Sequence, residues 1–140
     1  MARARAGFSK SRGITEDLDF DTGGLAEAVE RMRPEEVDAL PFGAIRLDAA
    51  GQVSYYSEAE RRQSGYRKEA IGRTFFTEMA PCMDNPQFRG RIEQALARGK
   101  LDIPFDYIVD LPSGARGVEV RVRVQSAGDG GCWIFMLHEE

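Results

Sequence analysis

Apolar and polar positions alternate most strictly between Val118 and Val124, where four valines are interleaved with Glu119, Arg121 and Arg123. A period of two predicts an antiparallel strand with one face buried and the other in water. Cys132-Trp133-Ile134-Phe135-Met136-Leu137 is apolar without a break, which predicts a central strand covered on both faces. Phe42 to Asp48 and Gln52 to Tyr56, joined by Ala49-Ala50-Gly51, read as a hairpin, and Ile103 to Leu111 reads as a further strand. Pro112-Ser113-Gly114 and Gly128-Asp129-Gly130-Gly131 supply the turns on either side of the valine strand. Helical spacing appears elsewhere. Leu25, Ala28, Val29 and Met32 mark one amphipathic turn, and Pro34 to Leu40 a second with proline in its first turn. Asn85-Pro86 opens a longer helix whose face is Phe88, Ile92, Ala95 and Leu96 and whose stop is Gly99. Residues 57–80 hold polar helical fragments broken by Gly65 and Gly72.

Two strands, several helices and three more strands predict an α+β domain: one five-stranded antiparallel sheet with helices on one side. The core spans 41–140, and the helices of 25–40 form an N-terminal cap upon it. Residues 1–24 carry few apolar positions and are expected to be a flexible extension.

With 140 residues the chain suffices for one domain with a single core. A net charge of −4 argues against a nucleic-acid surface. No apolar run approaches the roughly 18 residues of a membrane span, and the basic start Met1-Ala2-Arg3-Ala4-Arg5 leads into no apolar signal segment. A cytoplasmic protein is expected. Two cysteines make no disulfide scaffold, although a Cys82–Cys132 bridge remains open.

The candidate chemistry centres on Cys82. It follows Pro81 and leads toward a helix start, a connection where backbone N–H groups favour thiolate. A cysteine hydrolase needs a base, and the sole histidine, His138, has no acidic partner assignable from sequence. One histidine and two distant cysteines form no metal cluster. A buried structural cysteine is the plain alternative. Tyr56 and Glu60 stand four apart where a strand gives way to a helix, so both can point to one side. The competing reading is a solvated face, since Glu60-Arg61-Arg62 is a charged run. Cys132 and Trp133 read as core or packing residues.

The run Phe75-Phe76-Thr77-Glu78-Met79-Ala80-Pro81-Cys82-Met83-Asp84-Asn85-Pro86, together with Phe42-Gly43-Ala44-Ile45 and Tyr55-Tyr56-Ser57-Glu58-Ala59-Glu60, resembles the photoactive yellow proteins, blue-light receptors of the PAS superfamily. The likeness covers about residues 25–137. It implies a PAS-like core and 4-hydroxycinnamic (p-coumaric) acid held as a thioester on Cys82. Tyr56 and Glu60 match the groups that hydrogen-bond the phenolate oxygen, and Ser64 stands where the family carries threonine. Phe75 and Phe76 match wall residues; Phe105 and Tyr107 lie on the neighbouring strand and help enclose the ring. The family's arginine lid has two candidates, Tyr66 and Arg67, because the chain is one residue short before Gly72. The resemblance further implies trans-to-cis isomerisation, proton transfer from Glu60 to the phenolate, and loosening of the cap as the signal. It implies no enzymatic turnover and no metal. The reader of the signal is expected to be a downstream signalling protein or a fused sensor domain. The alternative is a PAS-like interaction or ligand-sensing module without pigment.

Overall fold

The computed structural model describes residues 20–99 and 101–138. In chain order these form helices α1 (Leu25–Glu30) and α2 (Pro34–Asp38), strands β1 (Gly43–Leu47) and β2 (Val53–Tyr56), and helix α3 (Glu58–Ser64). A π-helical turn (Phe75–Met79), a 3-10 turn (Pro81–Met83) and helix α4 (Arg89–Ala97) follow, then strands β3 (Asp102–Val109), β4 (Val118–Ser126) and β5 (Cys132–His138). The strands make one antiparallel sheet in the order β2-β1-β5-β4-β3. The unbroken apolar run is therefore its central strand, as its composition predicts.

Strand alternation divides the buried residues between two layers. One side of the sheet sends Ile45, Val120, Val122, Val124, Ile134 and Met136 against Phe75, Phe76, Phe88 and Ile92. The other sends Phe42, Ala44, Trp133 and Phe135 against Leu25, Val29, Met32, Val37 and Leu40 of the cap. The cap thus occupies the sheet face opposite the main helical layer.

Three local expectations are corrected. The polar side of β4 is in water only along its first half, where Glu119 and Arg121 reach solvent as expected, whereas Arg123 is 9% exposed and Gln125 is 6% exposed. Arg123 Nη1 donates to the carbonyls of Phe20 (3.0 Å) and Thr22 (2.6 Å). Gln125 Oε1 accepts from the Ala26 amide at 2.6 Å. The cap docks by satisfying these groups, which would otherwise be costly to bury. Secondly, the docked segment starts before residue 25: Phe20 is buried, its ring edge-on to Phe42 at 5.7 Å. Residues 1–19 of the expected flexible extension lie outside the described residues. Thirdly, α4 begins at Arg89 rather than at Pro86, because Asn85 caps an isolated turn first, its Oδ1 accepting from the Phe88 amide at 2.9 Å.

Candidate functional site

Helix α3 is anchored by Ser57, whose Oγ accepts from the Glu60 amide (3.2 Å) and from the Ala44 amide of β1 (3.0 Å). This capping turns Glu60 inward, to 4% exposure. The neighbouring strand makes room only because residue 43 is glycine; a Cβ there would stand 1.9 Å from Glu60 Oε1. Glu60 Oε1 lies 3.3 Å from His138 Nε2, with both side chains almost wholly enclosed. Burial raises the carboxyl's pKa above its ordinary 4.5, and the imidazole draws it partly back.

Tyr56, at the end of β2, shares a 3.0 Å hydrogen bond with Ser64 on α3. Its phenol is pushed upward by desolvation and then by the Glu60 charge, while the Ser64 bond and the Arg61 charge oppose the shift. The Arg61 guanidinium stands 5.3 Å over the Tyr56 ring and donates to the carbonyls of Tyr66 (3.2 Å) and Lys68 (2.9 Å). Ser64 Oγ accepts from the Tyr66 amide at 3.1 Å, and the Ser64 carbonyl takes the Ser113 amide at 3.0 Å. These bonds close the loop after β3 over the site.

Cys82 sits in the 3-10 turn with its thiol exposed and unbridged. Its carbonyl accepts from Tyr107 Oη (3.0 Å) and Asn85 Nδ2 (2.9 Å), and Asn85 Nδ2 also donates to the Tyr107 hydroxyl at 2.6 Å. Strand β3 and the Asn85 turn therefore clamp the backbone that carries the thiol.

Tyr56, Glu60, Ser64, Tyr66, Phe75 and Cys82 line one narrow cleft with a free volume of about 40 Å³. The donor set fits a phenolic acid: hydroxyls and a buried carboxyl of raised pKa at one place, apolar walls, and an exposed thiol on the rim. The remaining sequence-derived residues are placed elsewhere. Phe76 packs edge-on against Phe75 (5.0 Å) and Phe88 (6.0 Å), one layer behind the cleft. Phe105 lies against Phe88 at 5.2 Å with the Arg91 guanidinium 4.7 Å over it. Tyr107 holds the Cys82 backbone instead of lining the space. Of the two lid candidates Tyr66 borders the cleft, whereas Arg67 is exposed on the surface. The sequence reasoning missed Val109, Leu111 and His138 as wall residues. His138 had a signal: it follows Met136 by two positions, so strand parity puts both on the same side.

Other chemistries find less support. No hydrogen bond joins the Cys82 thiol to His138, and no group of three metal-binding side chains occurs among the described residues. A wider hollow along β3 is bordered by Arg91, Asp106, Glu119 and Arg121, all reaching solvent. No helix among the described residues is long and apolar enough to cross a membrane.

The model of the PAS fold family matches residues 31–139. The photoactive yellow protein of Rhodothalassium salexigens is 34% identical over 122 residues, covering 86% of this chain and 97% of the relative. That of Halochromatium salexigens is 33% identical, covering 85% and 95%. Among solved structures, the photoactive yellow protein domain from the sensor histidine kinase Ppr of Rhodospirillum centenum is 41% identical. It superposes with a TM-score of 0.73, over 79% of this chain and 97% of the other.

Proposed function

The chain belongs to the photoactive yellow proteins, a family of PAS fold, and from its membership among these chromophore-bearing blue-light photoreceptors we propose that its pigment is 4-hydroxycinnamic acid, held as a thioester on Cys82. Supporting this is the junction in one cleft of an accessible thiol with a carboxyl whose hold on its proton is strengthened by burial. Bound there, the group supplies visible absorption and a double bond that light turns from trans to cis.

The protein's own part is to keep a phenolate ionised away from water. Desolvation alone would protonate it. Two donors oppose that: the Tyr56 O–H, and the Glu60 carboxyl, which can donate only while protonated. Ser64 fixes the Tyr56 hydroxyl, and Arg61 fixes both the Tyr56 ring and the Tyr66 loop. On illumination Glu60 gives up its proton and becomes a buried carboxylate. An uncompensated charge in such a place costs several kcal/mol (on the order of 3–5), a large share of a small domain's stability.

The strain has a short route to the cap. Asp38, the last residue of α2, accepts from the Glu58 amide at the start of α3 (2.9 Å) and from the Tyr55 hydroxyl (2.5 Å). A shift of α3 that admits water to Glu60 therefore pulls directly on the cap, whose loosening is the signal. The related domain in Rhodospirillum centenum belongs to a sensor histidine kinase, and a signalling domain or separate signalling protein is the proposed reader here. No catalytic turnover is proposed.

The test is an absorption spectrum of the chain after reaction with an activated p-coumaric ester, in darkness and then under blue light. A visible band that bleaches reversibly and is missing in Cys82→Ala is expected. A colourless product with Cys82 reduced and accessible would overturn the pigment assignment and leave a PAS module for a non-covalent ligand or partner.

A further inference from the structure

His138 closes β5 and faces the same cleft as Glu60, 3.3 Å from its Oε1. The two residues are separated by 78 positions, so the contact is made by the fold. Among the described residues no other side chain hydrogen-bonds the Glu60 carboxyl. The imidazole is itself nearly enclosed, its side chain 10% exposed against 5% for Glu60.

We infer that His138 is the positioning and charge partner of Glu60: its Nε2–H donates to Glu60 Oε1, turning the other carboxyl oxygen and its proton toward the cleft. A carboxylic acid has one acceptor oxygen and one O–H. With Oε1 taken by the imidazole, the O–H on Oε2 is free to donate to a ligand. When that proton leaves, the carboxylate already holds one donor. The imidazole then takes a proton from bulk solvent at Nδ1, and the product is an imidazolium–carboxylate pair of zero net charge. The buried anion is thus compensated once a solvent proton arrives, and the force on the cap becomes pH-dependent. This second half rests on the pigment reading above; the pairing of the two side chains does not.

The groups facing the pair are few. Tyr56 comes from β2, Arg61 and Ser64 from α3, Tyr66 from the segment after α3, Cys82 from the 3-10 turn and Asp110 from the segment after β3. Strand β1 contributes only Gly43 at the carboxyl. Opposite His138 on β4 stands Val120, and its neighbours Glu119 and Arg121 project to the other face. Asp110 is engaged with the Gly117 amide at 3.0 Å, so the imidazole is the group placed to answer a charge on Glu60.

The experiment begins with the pigment-free full chain. With one histidine in the sequence, its imidazole NMR signals need no assignment. The expected result is that Glu60→Gln changes the ring's titration curve and that His138→Gln raises Glu60's proton affinity, because the lowering by the imidazole is lost. His138→Phe, which keeps the volume, should act alike. In the pigment-loaded protein, the light-driven loss of cap protection, taken as the light-to-dark ratio of exchange rates at one pH, is expected to be smaller at a pH that protonates an imidazole, and the same at every pH in His138→Gln. A ring titration indifferent to Glu60→Gln overturns the pairing. A ring titration changed by Glu60→Gln, with an equal light-to-dark ratio at every pH, overturns the compensating role. A chain that takes up no pigment sinks the pigment reading, while the NMR result still decides the pairing.

Discussion

A carboxyl at 4% exposure, with an imidazole beside it and no Cβ on Gly43 to crowd it, keeps its proton to higher pH than one in water. The linkage to stability has a definite sign. Glu60 binds its proton more tightly in the folded chain than in the unfolded one, so between its ordinary value of 4.5 and its raised one the native state holds more protons. Stability from this residue is therefore fully present below 4.5 and falls as pH rises through the raised value. In pigment-free protein, urea midpoints are expected to fall with pH relative to Glu60→Gln, which lacks the titration. Parallel curves for the two proteins would refute the buried acid. Tyr56, Glu60 and Cys82 were legible in the sequence through their likeness to the photoactive yellow proteins, whereas spacing alone left Tyr56 and Glu60 open to a solvated face and gave Cys82 only a loop setting. His138 could not be paired there, because its partner lies across the sheet.

At the scale of elements, β4 shows how one pattern supports two readings. Its valines belong to the core and Glu119 and Arg121 reach solvent, as the pattern predicts, but Arg123, of the same parity, is buried. Only the fold brings Phe20 and Thr22 to Arg123, across 103 and 101 residues respectively. The periodicity thus specified the strand and its parity, not what would cover it. The place of β5 was legible because an apolar run with no polar position has to be covered twice. Arg123→Ala is expected to release the segment around Phe20 and α1, at a cost of about 2 kcal/mol for buried bonds made by a charged donor. Hydrogen exchange should then quicken at residues 25–40 and stay slow in β5. Equal protection in the cap of both proteins would show that Arg123 does not hold it.

For the whole molecule, one sheet serves two tasks on opposite faces. One face builds the cleft; the other holds the cap as a cover, joined to α3 through Asp38 and to β5 through the 2.8 Å bond from Trp133 Nε1 to Glu30. The surface under that cover is chemically divided. Phe42, just ahead of β1, and β5 contribute aromatic rings, with Trp133 stacked on Phe135 at 5.7 Å, while β4 contributes a guanidinium and an amide. Once uncovered, the β4 half is readily wetted and carries positive charge, which keeps two uncovered copies from closing on each other through their aromatic halves. An illuminated sample should therefore sediment as dispersed single chains, and Arg123→Leu, which gives up both the tether and the charge, should clump already in the dark and more so in the light. The two tethers on β4 that fasten the cover in darkness thus double as the protein's own dispersant when it opens.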